Sequence, residues 1–260
     1  MTTPRRPRVT GVIKLGGSLF ELDDWPVRLL TWLAADGRSS ASPPPRRQCV
    51  EAGMAQTHDP QFWLLVAGGG PWVDTLRQWD SRQSLGDESC HRWCAQLLTI
   101  TADVARRRLS TAADAFPASG PDNAISVMPW VVSVADIEMP SQGSSIHAAF
   151  TRNSPASLGV VDAGAYLEIA SRRGRRRLPR DWTVSSDSLA AHLASRLRAR
   201  RLVLAKSCPL PSLVMTRTQA AQTGLVDSFF PQAAPSQVSV QWLNLRAQEP
   251  TAVFLAPDSK

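Results

Sequence analysis

The sequence predicts an α/β fold: a three-layer αβα sandwich around a mainly parallel central sheet. Two observations predict it. Apolar runs of strand length alternate with segments of helical periodicity along the 260 residues, and strands that alternate with helices imply parallel pairing. The runs are also close to continuously apolar, as in strands covered on both faces. With 43 % hydrophobic residues the chain can fill one substantial core, and a single α/β domain reaches this length. We therefore expect one domain over residues 9–260, preceded by a flexible basic terminus at 1–8.

Each element follows from its own stretch of sequence. From Val9 the run VTGVIKLGGSLF reads as a buried strand ending in Gly16-Gly17. A helix follows, with Trp25, Leu29, Leu30, Trp32 and Leu33 at helical spacing. The serines and prolines of DGRSSASPPPRR mark a loop, and residues 37–60 read as a loop insertion. FWLLV, 62–66, is the second clear strand and runs into Gly68-Gly69-Gly70-Pro71. Pro71 fits the first turn of a helix, which Val73, Leu76 and Trp79 continue. Residues 87–109 read as a long helix, and 124–134 as a strand interrupted by Pro129. Polar and basic loops fill 141–180, apart from an apolar stretch at 158–169. Ser185-Ser186-Asp187-Ser188 then opens a helix through Arg198. Residues 202–205 form a buried strand that ends at Lys206. The tail carries a short helix at 218–223 and strands at 238–245 and 252–255. No internal repeat is present.

Composition narrows the function classes. No apolar stretch approaches the roughly 20 residues that span a bilayer, and residues 1–8 lead into no signal-peptide core. A soluble cytoplasmic protein is expected. The net charge of +7 raises nucleic acid as a partner, but the excess is concentrated in Arg5, Arg6 and Arg8, in 106–108 and in 172–180. The last, SRRGRRRLPR, lacks interleaved aromatics for stacking bases, which disfavours nucleic acid. A solvated loop and a polyphosphate-binding loop both remain open there. Cys90 and Cys94 lie one helical turn apart around His91, yet with Cys49 and Cys208 they form no common zinc spacing, so no metal site is predicted. Three lysines stand against twenty-six arginines. Lys14 and Lys206 both close apolar runs, where a compact ammonium suits phosphate.

The chemistry is expected at two glycine turns. Glycine lets backbone approach a ligand closely, and the N–H groups at a following helix start favour an anion. Gly16-Gly17 and Gly68-Gly69-Gly70 each close a strand. Neither carries the lysine-serine pair of a Walker loop nor the GxGxxG spacing of a dinucleotide site.

Three ordered motifs, IKLGGSL at 13–19, VAGGGP at 66–71 and SSDSLAAHLA at 185–194, resemble those of the amino acid kinase superfamily, which includes acetylglutamate, aspartate, carbamate and uridylate kinases. DWTVSSDSLAAHLASRL followed by LVLAKS, together with GDESCHRWCAQLLTITADV and GLVDSFFP, looks most like the branch that phosphorylates an aminomethylfuran methyl phosphate in methanofuran biosynthesis. The resemblance implies an ATP- and Mg2+-dependent phosphotransferase in one-carbon cofactor metabolism, with a small-molecule acceptor and a homo-oligomeric assembly. By the same resemblance, Lys14 neutralises the transferred phosphoryl group and Asp187 holds that lysine. Gly16, Gly17 and Lys206 lie on the nucleotide side. Gly68, Gly69 and Gly70 hold the acceptor and the phosphoryl group passed to it, and Asp87 and His91 border the acceptor. Plainer readings stand beside these: Lys14 as a strand-end charge, Asp187 as an acid favoured by the helix dipole, Asp87 and His91 as surface or packing residues. One departure is marked. AKSCPLP at 205–211 replaces the acidic pattern that shapes the nucleotide pocket in many superfamily members. A non-catalytic binding or regulatory protein on the same fold is therefore the alternative.

Overall fold

The computed structural model describes residues 8–39, 61–115, 125–138, 156–172 and 177–258. The basic terminus at 1–7, most of the 37–60 insertion and residues 173–176 of the arginine-rich stretch lie outside the described residues. One seven-stranded sheet organises the chain. Its strands are β1 (Gly11–Leu15), β2 (Gln61–Ala67), β3 (Ile125–Val132), β4 (Ala156–Val161), β5 (Arg201–Lys206), β6 (Ser239–Asn244) and β7 (Ala252–Leu255). Their spatial order is β3-β4-β2-β1-β5-β6-β7. Every pairing is parallel except that of the edge strand β7 with β6. The sheet is thus mainly parallel, flanked by helices, as predicted.

Alternation along β1 divides the core in two. Val12 faces a cluster with Leu64, Val66, Leu202, Leu204, Leu189 and Leu193. Ile13 and Leu15 face the other, with Trp25, Leu29, Leu30 and Leu33 of α1 (Trp25–Ser39). Lys14 shares the parity of Val12. Its ammonium therefore meets the layer holding α6 (Ser186–Arg196), where it must find a counter-charge.

Several boundaries differ from those predicted. Helix α1 continues through Ser39, beyond the expected loop start at residue 37. One glycine inside a helix costs only about 1 kcal/mol, and the buried stripe of the preceding turns outweighs it. Helices α2 (Gly70–Gln83) and α3 (Asp87–Ala115) follow β2. Helix α3 runs six residues past its predicted end because Ala112 and Ala113 still pack on the core. The β3 register shifts between Val127 and Val131, around Pro129, which donates no ladder hydrogen bond. A short helix α4 (Val134–Glu138) follows. The apolar stretch at 158–169 is two elements, β4 and α5 (Ala163–Ala170), separated by Asp162, whose side chain caps the helix by accepting from the Ala165 N–H. Helix α6 ends at Arg196 rather than Arg198, which adopts a left-handed φ of 54°. Helices α7 (Arg217–Gln222) and α8 (Phe230–Ala233) complete the chain.

Candidate active site

Three adjacent strands end at one level. Leu15 pairs with Ala67 on one side and Ala205 on the other, so Gly16, Gly68 and Lys206 follow in register. The Gly16 N–H donates to Ala205 O at 2.8 Å and the Gly68 N–H to Leu15 O at 2.9 Å. The chain leaves β1 toward β2, while β5 is added on the opposite flank. Such a switch point, at the carboxyl ends of parallel strands, is where open α/β sheets bind ligands.

The glycine turns interlock. A β-carbon on Gly17 would stand 2.4 Å from the backbone N and Cα of Gly70. Gly70 itself has φ +60°, a conformation open to glycine. Gly68 approaches Gly17, Leu15 O and the Ser186 hydroxyl. The starts of the 3-10 helix Gly17–Glu21, of α2 and of α6 therefore converge. First-turn N–H groups have no intrahelical acceptor, and those of Gly17–Glu21 and α2 form a positive rim suited to phosphate, whereas in α6 the Asp187 and Ser188 N–H groups are taken by Ser185 Oγ and Asp227 Oδ2. Ser18 and Ser207 hydroxyls, 2.8 Å apart, tie the β1 turn to the one after β5.

Asp187 stands at the middle of this rim, 4 % exposed. Its Oδ1 lies 2.9 Å from Lys14 Nζ and its Oδ2 2.8 Å from Lys206 Nζ. Lys206 also donates to Leu225 O at 2.8 Å and lies 5.3 Å from the Trp242 ring centroid. One carboxylate shared by two ammonium groups sets the protonation of Lys14 and of Asp187 itself. Burial pushes Lys14 down to about 8, with Asp187 opposing the shift and Lys206 adding to it. Burial works against the Asp187 carboxylate as well, but two cations overcome it and hold the group at about 2. The triad carries a net positive charge in a buried setting, and an arriving anion would balance it.

A second carboxylate, passed over at the level of sequence, fixes the first. Asp227 Oδ2 accepts from the Ser185 N–H at 3.0 Å, the Ser185 hydroxyl at 2.7 Å and the Ser188 N–H at 3.0 Å. Its Oδ1 accepts from the Ser188 hydroxyl at 2.5 Å. These bonds clamp the first turn of α6 and so orient Asp187. The stretch GLVDSFFP contained Asp227, but no local spacing links it to serines about forty residues earlier.

Lys14, Asp187, Lys206, Gly16, Gly17, Gly68, Gly69 and Gly70 are thus brought together. Asp87 and His91 are not in that cluster. They line a small cavity of about 40 Å3 at the start of α3, with Cys90, Cys94, Arg180 and Trp182. His91 is buried and its Nε2 lies 3.7 Å from Glu168 Oε1; burial lowers its pKa. Asp87 is exposed in the first helical turn.

Solved structures share the architecture. The chain superposes on aspartate kinase from Synechocystis with a TM-score of 0.50 and 13 % identity, over 96 % of this chain and 40 % of that one. UMP kinase from Ureaplasma parvum gives 0.50 at 11 % identity, over 94 % and 93 %. The fold is that of the amino acid kinases. UMP kinase from Bacillus anthracis matches it equally, at TM-score 0.50 and 9 % identity, over 96 % and 100 %. No protein-family model matches the sequence, and no curated protein does. This chain spans well under half of the aspartate kinase, and at these identities the likeness is one of amino acid kinase fold. Among the described residues no helix is long and apolar enough to cross a membrane.

Proposed function

We propose that this protein is an ATP-dependent small-molecule kinase that transfers the γ-phosphoryl group to a phosphate or carboxylate acceptor. The observation that carries the reading is Asp187, held between Lys14 and Lys206 where two glycine turns meet. Phosphoryl transfer has a loose transition state with charge spread over the equatorial oxygens, so positioning and electrostatics supply most of the catalysis. In this reading Lys14 neutralises the phosphoryl group in flight. Lys206 faces the nucleotide phosphates, and the turn N–H groups bind the remaining oxygens. Asp187 keeps both ammonium groups apart and aimed. Both oxygens of the buried carboxylate already face lysines, so Mg2+ would enter with the nucleotide rather than on this triad and would neutralise phosphate charge.

The acceptor follows from the sequence resemblance, which favours an aminomethylfuran methyl phosphate and a diphosphate product. A cytoplasmic homo-oligomer is part of the same reading. The alternative is a non-catalytic small-molecule-binding protein. It draws on the turn after β5, where Ser207–Pro211 supplies no carboxylate and Leu213 and Val214 are exposed.

Calorimetry with Mg-ATP, followed by product detection with furan phosphates, tests the proposal. Wild-type protein should bind and turn over, and Lys14→Ala should weaken both while keeping its circular dichroism. Tight binding without turnover on any phosphate or carboxylate acceptor would favour the alternative. No nucleotide binding by folded protein would remove the kinase reading.

A further inference from the structure

Helices α2 and α3 leave an apolar surface on the solvent side of the hairpin they form. Trp72 and Trp79 of α2 are 48 % and 60 % exposed, and Ile100 of α3 is 50 % exposed. Trp93, Leu97 and Val104 of α3 are half-buried, yet among the described residues none of them packs against either core cluster. Spacing places these side chains on two stripes. Trp72 and Trp79 are seven residues apart, and 93, 97, 100 and 104 follow at 4-3-4 spacing, so each set keeps to one helix face.

The two stripes border one groove. Helices α2 and α3 are joined only by residues 84–86 and pack together as antiparallel neighbours. That turn sets Trp79 level with Trp93, and Trp72 level with Leu97 and Ile100. Val73 and Leu98 both stand beside Gly69, which marks the core side of the pair. On each helix a buried residue lies between that side and the stripe. On α2 it is Leu76, and on α3 it is Cys90, whose thiol bonds to Asp80 of α2. The tryptophans and the α3 stripe therefore turn outward on the same side of the hairpin.

We propose that this groove pairs with its own copy in a two-fold dimer whose axis passes between Leu97 and Ile100. The α3 stripe is self-complementary. Laid antiparallel on a second copy it meets itself member for member, Trp93 against Val104 and Leu97 against Ile100. Neither stripe contains a charged side chain, so the contact calls for no partner of opposite charge. Its area also suits a dimer. The exposed parts of Trp72 and Trp79 together equal one whole tryptophan, ~250 Å2, and the other members bring the patch to ~400 Å2. Monomers seldom leave so large a contiguous apolar patch without a use. Two copies would bury about 800 Å2 of apolar surface. At roughly 60 % apolar content that corresponds to an interface of about 1,300 Å2, within the range of stable complexes. The dimer deepens the homo-oligomer part of the function proposed above. Mass is read without nucleotide, so its failure and that of the kinase reading are distinguishable.

Sedimentation velocity of the full chain, over about 5–100 μM, tests the proposal. Wild-type protein should sediment as a dimer. Ile100→Glu sets two carboxylates close to each other near the axis and should raise the dimer Kd at least about 100-fold. Trp72→Ser with Trp79→Ser removes the flanking anchors without adding charge and should raise it about tenfold or more. That pair carries the test should Ile100→Glu fail to fold, as judged by circular dichroism. Phe254→Ser, at an exposed apolar position on the edge strand β7, should leave the dimer unchanged. A wild-type monomer throughout the range would overturn the proposal, as would a dimer that persists unchanged in the folded helix variants. A dimer lost in Phe254→Ser would place the interface elsewhere and overturn it too.

Discussion

Lys14 holds its proton weakly because burial outweighs half a share of one carboxylate. The folded value lies below the unfolded one. This ammonium therefore costs stability below about pH 8, and the cost disappears as pH rises through the ordinary lysine range. An anion in the site should reverse the shift. Mg-ATP binding at pH 8–9 should then take up protons, measurable by calorimetry in buffers of different ionisation enthalpy, and Lys14→Met should abolish the uptake. Asp187 titrates in the opposite sense. Its pKa is depressed, so its contribution is present above the ordinary aspartate value and is lost as pH falls toward about 2. Asp187→Asn strands the buried Lys14 and half-buried Lys206 ammonium groups and should destabilise the fold by about 3–5 kcal/mol in denaturant unfolding. Adding Lys206→Met should recover part of that loss, since residues sharing a partner are not additive. For activity, Lys14→Ala should lower kcat by roughly 10²–10³-fold, the scale of one lost transition-state charge contact.

At the scale of elements, the turns matter because they touch one another. Gly17→Ala would place a methyl group against Gly70 backbone, which cannot yield as a side chain would. We expect a loss of about 1–3 kcal/mol, the range for overpacking, together with weakened triphosphate binding at the Lys14 site. Gly86→Ala has open space around its β-carbon but keeps φ at +86°. It should cost about 1–2 kcal/mol through backbone strain alone and leave nucleotide binding unchanged. Comparing the two by thermal unfolding and calorimetry separates close approach from conformation. Both glycine turns were legible in sequence as strand ends, because punctuation by glycine is local. Their mutual contact was not, because residues 17 and 70 meet only after β1 and β2 pair.

For the whole molecule, a single sheet carries both core clusters, and β1 lies at its centre with Val12 and Ile13 facing opposite layers. Unfolding should accordingly be one cooperative transition, with calorimetric and van't Hoff enthalpies equal. Two separate transitions would refute the expectation of one domain over residues 9–260. The order of apolar runs and helical stretches determined the α/β class and the mainly parallel sheet, because side-chain period and strand-helix alternation are written residue by residue. The glycine turns after Lys14 and before Pro71 were legible as strand ends for the same reason, while Asp187 was singled out by the resemblance of its motif. Only the tertiary structure decided that Asp187 serves two lysines at once, that Asp227 clamps its helix, and that Asp87 and His91 line a different cavity. Those are contacts between residues tens to almost two hundred positions apart. A carboxylate's charge is legible in sequence, but the groups that share it are set by the folding of the chain around it.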